Sequence, residues 1–158
     1  VRLGEAADAR LVGLDPADPA TVDLHEARRI VGGGAGLEGR GAVELLEAVG
    51  LALGASYGAT RVVTDAGWAA VERQIGTTGV AVDPDFYLAF GISGAVQHTA
   101  GLGTPAHIVS VNIDPSCPMM SLADLAVVAD ATATLAALAE RLGLGLGAGT
   151  APGEDGDG

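Results

Sequence analysis

Two loops and a handful of strand ends hold the residues whose types and spacing could do chemistry. Gly34, Gly36 and Gly39 form a G-x-G-x-x-G run. Between a strand and a helix, that spacing lets backbone N–H groups approach a pyrophosphate at the helix N-terminus. Asp65, at the end of the next predicted strand, sits where a ribose-binding carboxylate would. A chain with 25 glycines also yields the pattern as a plain tight turn. The other loop reads Gly91-Ile92-Ser93-Gly94-Ala95-Val96-Gln97-His98. It resembles a nucleophile elbow, but its glycines miss the G-x-S-x-G spacing and no acid lies between Ser93 and His107. Serine hydrolysis is therefore disfavoured. Ser93 can instead cap a helix starting at Gly94. With Gln97 and His98 one turn on, the helix dipole would favour an anion. The plainer alternative is a capped helix with a satisfied core histidine. Thr77-Thr78-Gly79 is a hydroxyl-bearing turn. Asn112 and Asp130 end predicted strands, where turn chemistry or helix capping is the common role. Arg61, a cation in an apolar predicted strand, needs a partner.

The elements that must position these residues alternate between strand and helix. Arg29-Ile30-Val31 enters the first glycine run as a short strand. Gly41 to Leu53 reads as a helix with Ala42, Leu45, Leu46, Val49 and Leu53 on one face and Glu44 and Glu47 outward. Thr60-Arg61-Val62-Val63 is rich in β-branched residues and predicts a strand. The apolar run 86–90 predicts a buried parallel strand. A short helix is expected over 94–100, strands over 107–113 and 125–129, and a helix over 132–142 with Leu135, Leu138 and Leu142 inward. Alternating strands and helices predict a parallel sheet covered on both faces, with ligands at the carboxyl ends of the strands. Residues 1–26 read as an incoming segment, the end of a preceding domain, by their Asp-Pro turns. Residues 27–142 form the domain, and the Gly-rich acidic tail 143–158 is expected to be disordered.

Composition narrows the function classes. The 158 residues suit one domain, and 49% hydrophobic residues with only 3% aromatics point to a core of small aliphatics. The net charge is −12, and all 8 basic residues are Arg. Without lysine there is no Walker-type phosphate loop and no Schiff-base nucleophile. An acidic chain is a poor general binder of nucleic acid or anionic membrane. Cys117 stands alone, which excludes an internal disulfide and a Cys-rich zinc site, and no metal is expected. No apolar run approaches the ~20 residues of a membrane span, so no membrane insertion is expected and a cytoplasmic location is the default.

Taken in order, five blocks resemble the C-terminal FAD-binding domain of the electron transfer flavoprotein alpha subunit. They are Arg61-Val62-Val63-Thr64-Asp65-Ala66-Gly67-Trp68, Gln74-Ile75-Gly76-Thr77-Thr78-Gly79, Gly91 to His98, Val111-Asn112-Ile113-Asp114-Pro115, and Ala123-Asp124 through Asp130. The likeness runs from about Ile30 to Leu142. It implies an α/β fold: a three-layer α/β/α domain with a parallel sheet, Rossmann-like and nucleotide-binding, of the DHS-like type. It also implies FAD as cofactor, a heterodimer with a beta subunit, a dehydrogenase as electron donor and a downstream electron acceptor. The chain would be a redox carrier, not an enzyme with its own substrate. The family's preceding α/β domain is missing, so the chain resembles a fragment or a truncated relative. In isolation it would then expose apolar surface and self-associate.

By the same resemblance, Arg61 would lie over the flavin ring and Ser93 near its N5, with Gly94 among the binding positions. Thr78 would help hold the ring. Gln97 and His98 would face the flavin and ribityl chain, His98 near the C2 carbonyl. Asn112 and Asp130 would bind the adenosine end. A guanidinium, an imidazole and a helix N-terminus would each stabilise the charge of reduced flavin and raise its potential. The chain departs from the family at Ala35, where an Arg meets the pyrophosphate, at Thr77 for a Gln, and at Ile113 for a Lys. The stretch 54–59 is longer than usual. Loop amides around Gly34 to Gly36 are the expected compensation. The alternatives are an NAD- or AMP-binding module using the Gly34 loop, or a structural subunit that has lost FAD.

Overall fold

The computed structural model describes residues 22–145. Most of the expected incoming segment and of the acidic tail lies outside the described residues. Five parallel strands form one sheet: β1 (Arg29–Gly33), β2 (Ser56–Ala59), β3 (Phe86–Phe90), β4 (His107–Asn112) and β5 (Leu125–Val128), in the order β2-β1-β3-β4-β5. The order reverses between β1 and β3, and a crevice opens at such a switch point. The α/β reading is thus met.

One face of the sheet carries α1 (Arg40–Ala52) and α5 (Ala131–Arg141), which close a core with Val31, Leu88, Phe90 and Val111. In α1, Val43, Leu46 and Val49 are buried, Leu45 and Leu53 are half-buried, and Glu44 and Glu47 face solvent. Both helices end the same way. Gly54 and Gly143 take positive φ, and the amides of Ala55 and Leu144 reach back to the carbonyls of Gly50 and Ala139. That pattern satisfies the orphan carbonyls of the last turn. Asp130 caps α5, its Oδ1 accepting from the Ala133 amide at 2.7 Å.

The opposite face is covered by shorter pieces. A 3-10 turn (Leu24–Glu26), segment 74–82, and α4 (Pro118–Leu122) bury Leu24, Ile75, Val82, Met119 and Met120 against Ile30, Tyr87, Ala89 and Ile108. Because this layer is largely irregular, backbone hydrogen bonds hold it: the Ile75 amide donates to Ala59 O at 2.9 Å and Val82 to Gly101 O at 2.8 Å.

The second strand corrects the sequence expectation. Residues 61–65 form a short helix, α2 (Arg61–Asp65), and the strand lies before it at Ser-Tyr-Gly-Ala. A Cβ at Gly58 would meet Ile75 Cδ1 at 2.5 Å, so this strand needs a small residue where propensity favours a branched one. The third helix is also shorter than expected, α3 (Val96–Thr99).

The loops after β1 and β3 lock together. Gly34 N donates to Phe90 O and Gly36 N to Gly91 O, both at 3.0 Å. A Cβ on Gly91 would stand 2.5 Å from Gly36 Cα, and Gly91 already takes φ +64°. Gly91→Ala is expected to lower unfolding stability by more than ~2 kcal/mol, from overlap plus left-handed strain. Gly41→Ala, in an open helical position, should raise it by up to ~1 kcal/mol. Chemical denaturation reads both; equal midpoints for Gly91→Ala and the parent would remove the interlock.

Candidate functional site

A cavity of about 330 Å³ opens at the carboxyl ends of β1, β2 and β3. Small-molecule sites begin near ~300 Å³ and favour such switch points. Its walls come from four places: Ala35 after β1, Thr60 to Val62 at the start of α2, the turn 74–78, and Ile92 to His98 with α3. Of the eight residues expected at a cofactor, six line it: Arg61, Thr78, Ser93, Gly94, Gln97 and His98. Asn112 and Asp130 do not. They stand at the ends of β4 and β5, further along the same edge.

Arg61 opens α2 and is exposed; its Nε lies 3.3 Å from Asp65 Oδ2, one turn on. It is the one charged side chain among those lining the cavity. The partner it needs is thus an exposed carboxylate, and the apolar strand expected around it is absent. Asp65 is correspondingly engaged with Arg61 on the helix.

Thr78 is held through a relay. The Thr64 hydroxyl donates to Gln74 Oε1 at 2.7 Å, and Gln74 Nε2 donates to Thr78 Oγ1 at 2.9 Å. With its oxygen already accepting, Thr78 keeps its own O–H to donate. The turn is tied to α3 by the Thr77 amide, 2.8 Å from Gln97 O. A Cβ at Gly76 would meet that same carbonyl at 2.7 Å, so the turn needs its glycine there.

Ser93 does not cap a helix, which corrects the expectation. Its side chain is exposed, while α3 starts at Val96 behind Ala95 with no side-chain cap. Gly94, at φ +83°, brings the loop against α4; a Cβ there would meet the Met119 amide at 2.5 Å. The four residues of α3 sum few peptide dipoles, so the expected anion attraction from its N-terminus is small. Gln97 is exposed at the cavity rim.

His98 is buried and fully engaged. Nε2 lies 2.8 Å from Tyr87 Oη and Nδ1 3.1 Å from Ile75 O. The plainer sequence reading, a satisfied core histidine, describes these contacts. Burial lowers its pKa, with the Ile75 hydrogen bond acting weakly the other way. Asn112 is likewise occupied: Nδ2 donates to Ile92 O at 3.2 Å and Oδ1 accepts from the Asp114 amide at 3.0 Å.

The first glycine run is not a phosphate cradle. Gly34 N and Gly36 N serve the β3 loop, Leu37 N donates to Gly34 O, and Glu38 N donates to Thr132 Oγ1 at 3.2 Å. Those amides are spent inside the protein. Of the loop amides at Gly34 to Gly36, the Ala35 amide at the cavity is the one left for the expected compensation, and an NAD- or AMP-binding role for the loop is not favoured. Sequence reasoning missed Thr60, whose buried Oγ1 has no hydrogen-bond partner at the cavity wall. A buried hydroxyl left unpaired is costly and suits a polar ligand group. Its only sequence signal is a hydroxyl residue beside Arg61. The open polar groups, the fixed cation and the apolar floor fit one end of a flavin cofactor.

Comparison with known proteins agrees with this geometry. The profile of the electron transfer flavoprotein FAD-binding domain matches residues 23–103. The mitochondrial electron transfer flavoprotein subunit alpha of Oryza sativa subsp. japonica is 40% identical over 139 residues, 88% of this chain and 39% of that protein. The subunit alpha of Chromohalobacter salexigens is 44% identical over 121 residues, 77% of this chain and 28% of that protein. Protein FixB of Rhizobium meliloti is 40% identical over 136 residues, 86% of this chain and 38% of that protein. The chain thus spans between 28% and 39% of the length of these relatives.

Because burial depresses the His98 pKa, the folded protein binds that proton less readily than the unfolded chain. Stability from this group is present above the unfolded value near ~6.5 and is lost as pH falls below it. Melting temperature should fall as pH drops below about 6.5, and His98→Gln should flatten that fall. An identical slope in the variant would show that His98 does not carry it.

Proposed function

Since the chain belongs to the family of electron transfer flavoprotein FAD-binding domains, we propose that it holds FAD as the redox part of an electron carrier. The observation that carries this reading is the convergence of Arg61, Thr78, Ser93, Gly94, Gln97 and His98 on one cavity at the switch point. Its partners would be a beta-type subunit, a dehydrogenase that donates electrons and a downstream acceptor. No substrate-converting step is assigned to it. Among the described residues, no helix is long and apolar enough to cross a membrane, and no group of His, Cys, Asp and Glu is placed to hold a metal.

FAD, when bound, supplies a ring that takes up and releases electrons. The chain's own residues set the conditions around it. Arg61 brings a guanidinium to the cavity and favours negative charge there. Asp65 offsets part of that field. Thr78 offers a directed donor, and Thr60 a buried hydroxyl in want of a partner. His98 contributes a neutral wall. Ile92 and Ile75 exclude water from the floor. Asn112 and Asp130, at the next two strand ends, are proposed to hold the adenosine end. Asp130 Oδ1 is committed to its helix cap, so such contact would use its other oxygen.

The visible spectrum of the protein purified with a beta-type subunit, with and without added FAD, tests the reading. Flavin bands that co-purify or reconstitute are expected; no flavin under either condition, with NAD or AMP bound instead, would refute it. Arg61→Ala should make the flavin midpoint more negative by about 20–40 mV for a two-electron couple, the equivalent of about 1–2 kcal/mol of charge stabilisation. An unchanged potential would remove Arg61 from the site.

A further inference from the structure

Tyr87 is an unusual residue for the middle of a parallel strand. It is fully buried on β3, and its hydroxyl lies against the backbone of Gly32 on β1. A Cβ at Gly32 would come within 2.3 Å of that oxygen, so the neighbouring strand leaves room for it. The hydroxyl has one polar partner, His98 Nε2 at 2.8 Å. The other ring nitrogen faces the Ile75 carbonyl, which can only accept. Nδ1 therefore carries a proton, and in the neutral ring Nε2 is left to accept from the tyrosine.

From this geometry we propose that Tyr87 is a positioning residue: with the Ile75 carbonyl fixing the proton on Nδ1, its O–H occupies Nε2 and keeps His98 neutral at the cavity wall. A charged His98 would need Nε2–H to donate to Tyr87, turning the tyrosine proton away, and among the described residues the tyrosine oxygen has no other hydrogen-bond partner. On the described segments packed around the pair, no other titratable group opposes this arrangement. Tyr87 is the only one on β3, His98 the only one on α3, and segments 74–80 and 91–95 carry none. Arg61 shares the cavity and disfavours a second positive charge, with Asp65 behind it. Burial acts in the same direction, lowering the histidine pKa and raising that of the tyrosine. His98 then offers no N–H to a cofactor and takes up no proton when the cofactor is reduced. This last step rests on the flavin reading above; the tautomer lock does not.

Histidine nitrogen NMR reads the lock directly in the full chain, with His98→Gln identifying the signal among the three histidines. The parent protein is expected to show Nδ1–H and a bare Nε2 at pH 7 and above. Tyr87→Phe keeps the ring and removes the only group bonded to Nε2, so the Nε2 resonance should move toward that of an unbonded nitrogen and the pH at which His98 titrates should differ from the parent's. In the FAD-loaded complex with a beta-type subunit, the His98 nitrogen signals of the parent should be the same with the flavin oxidised and reduced. Nε2–H or imidazolium in the parent at pH 7, or an unmoved titration in Tyr87→Phe, would overturn the proposal. A merely structural Tyr87 would lower stability in the variant and leave the Nε2 resonance and the titration alone. Should Tyr87→Phe fail to fold, the parent spectrum still decides between a bare and a protonated Nε2. Failure to bind FAD leaves the nitrogen spectra readable, so the two claims fail separately.

Discussion

The contact of Gly34 and Gly36 with Gly91 is the constraint on which the site depends. Two strand-end loops meet there backbone to backbone, with no room for a Cβ on either side. Their amides and carbonyls continue the β1–β3 ladder beyond the strands. That fixes where residues 92–98 go. Ile92 drops into the core, Gly94 passes close to α4, and α3 places His98 over Tyr87 and Ile75. The turn 74–79 is then held against α3 through Thr77 and Gly76. Four segments distant in sequence become one wall because two glycine loops cannot separate.

The wall so made has a definite electrostatic character. It is apolar at its floor, neutral at His98, and positive only at Arg61. A group that gains negative charge is favoured by that cation alone, with hydrogen-bond donors such as Thr78 supplying direction. The sequence resemblance distributes the task over a guanidinium, an imidazole and a helix N-terminus. The structure concentrates it, because α3 is one turn long and the imidazole is buried with both nitrogens in use.

Much of the frame was legible in the sequence, and the losses have physical causes. The apolar run Phe86–Phe90 and the amphipathic face of α1 follow from burial, which composition reports well. Residues 61–63 misled because branched residues favour strands, yet here they form a short helix after a strand of Ser, Tyr, Gly and Ala. Ile75, distant in the chain, dictates the glycine in that strand, and local propensity cannot register it. The glycine run misled differently: its spacing is right for a phosphate, but its amides are satisfied by Phe90 and Gly91. His98 is the satisfied core histidine of the plainer reading, and it also stands at the cavity wall. Thr60 and Tyr87 carry no motif, and only packing reveals them.

Hydrogen–deuterium exchange of the assembled protein, with and without FAD, tests the central claim that this cavity holds the cofactor. Slower exchange is predicted over residues 60–64, 74–79 and 92–98, with the amides of Gly34, Gly36, Leu37 and Glu38 unchanged because they are already bonded within the fold. Protection confined to residues 34–40, with the cavity segments exchanging as before, would contradict the account and return the site to the first glycine loop.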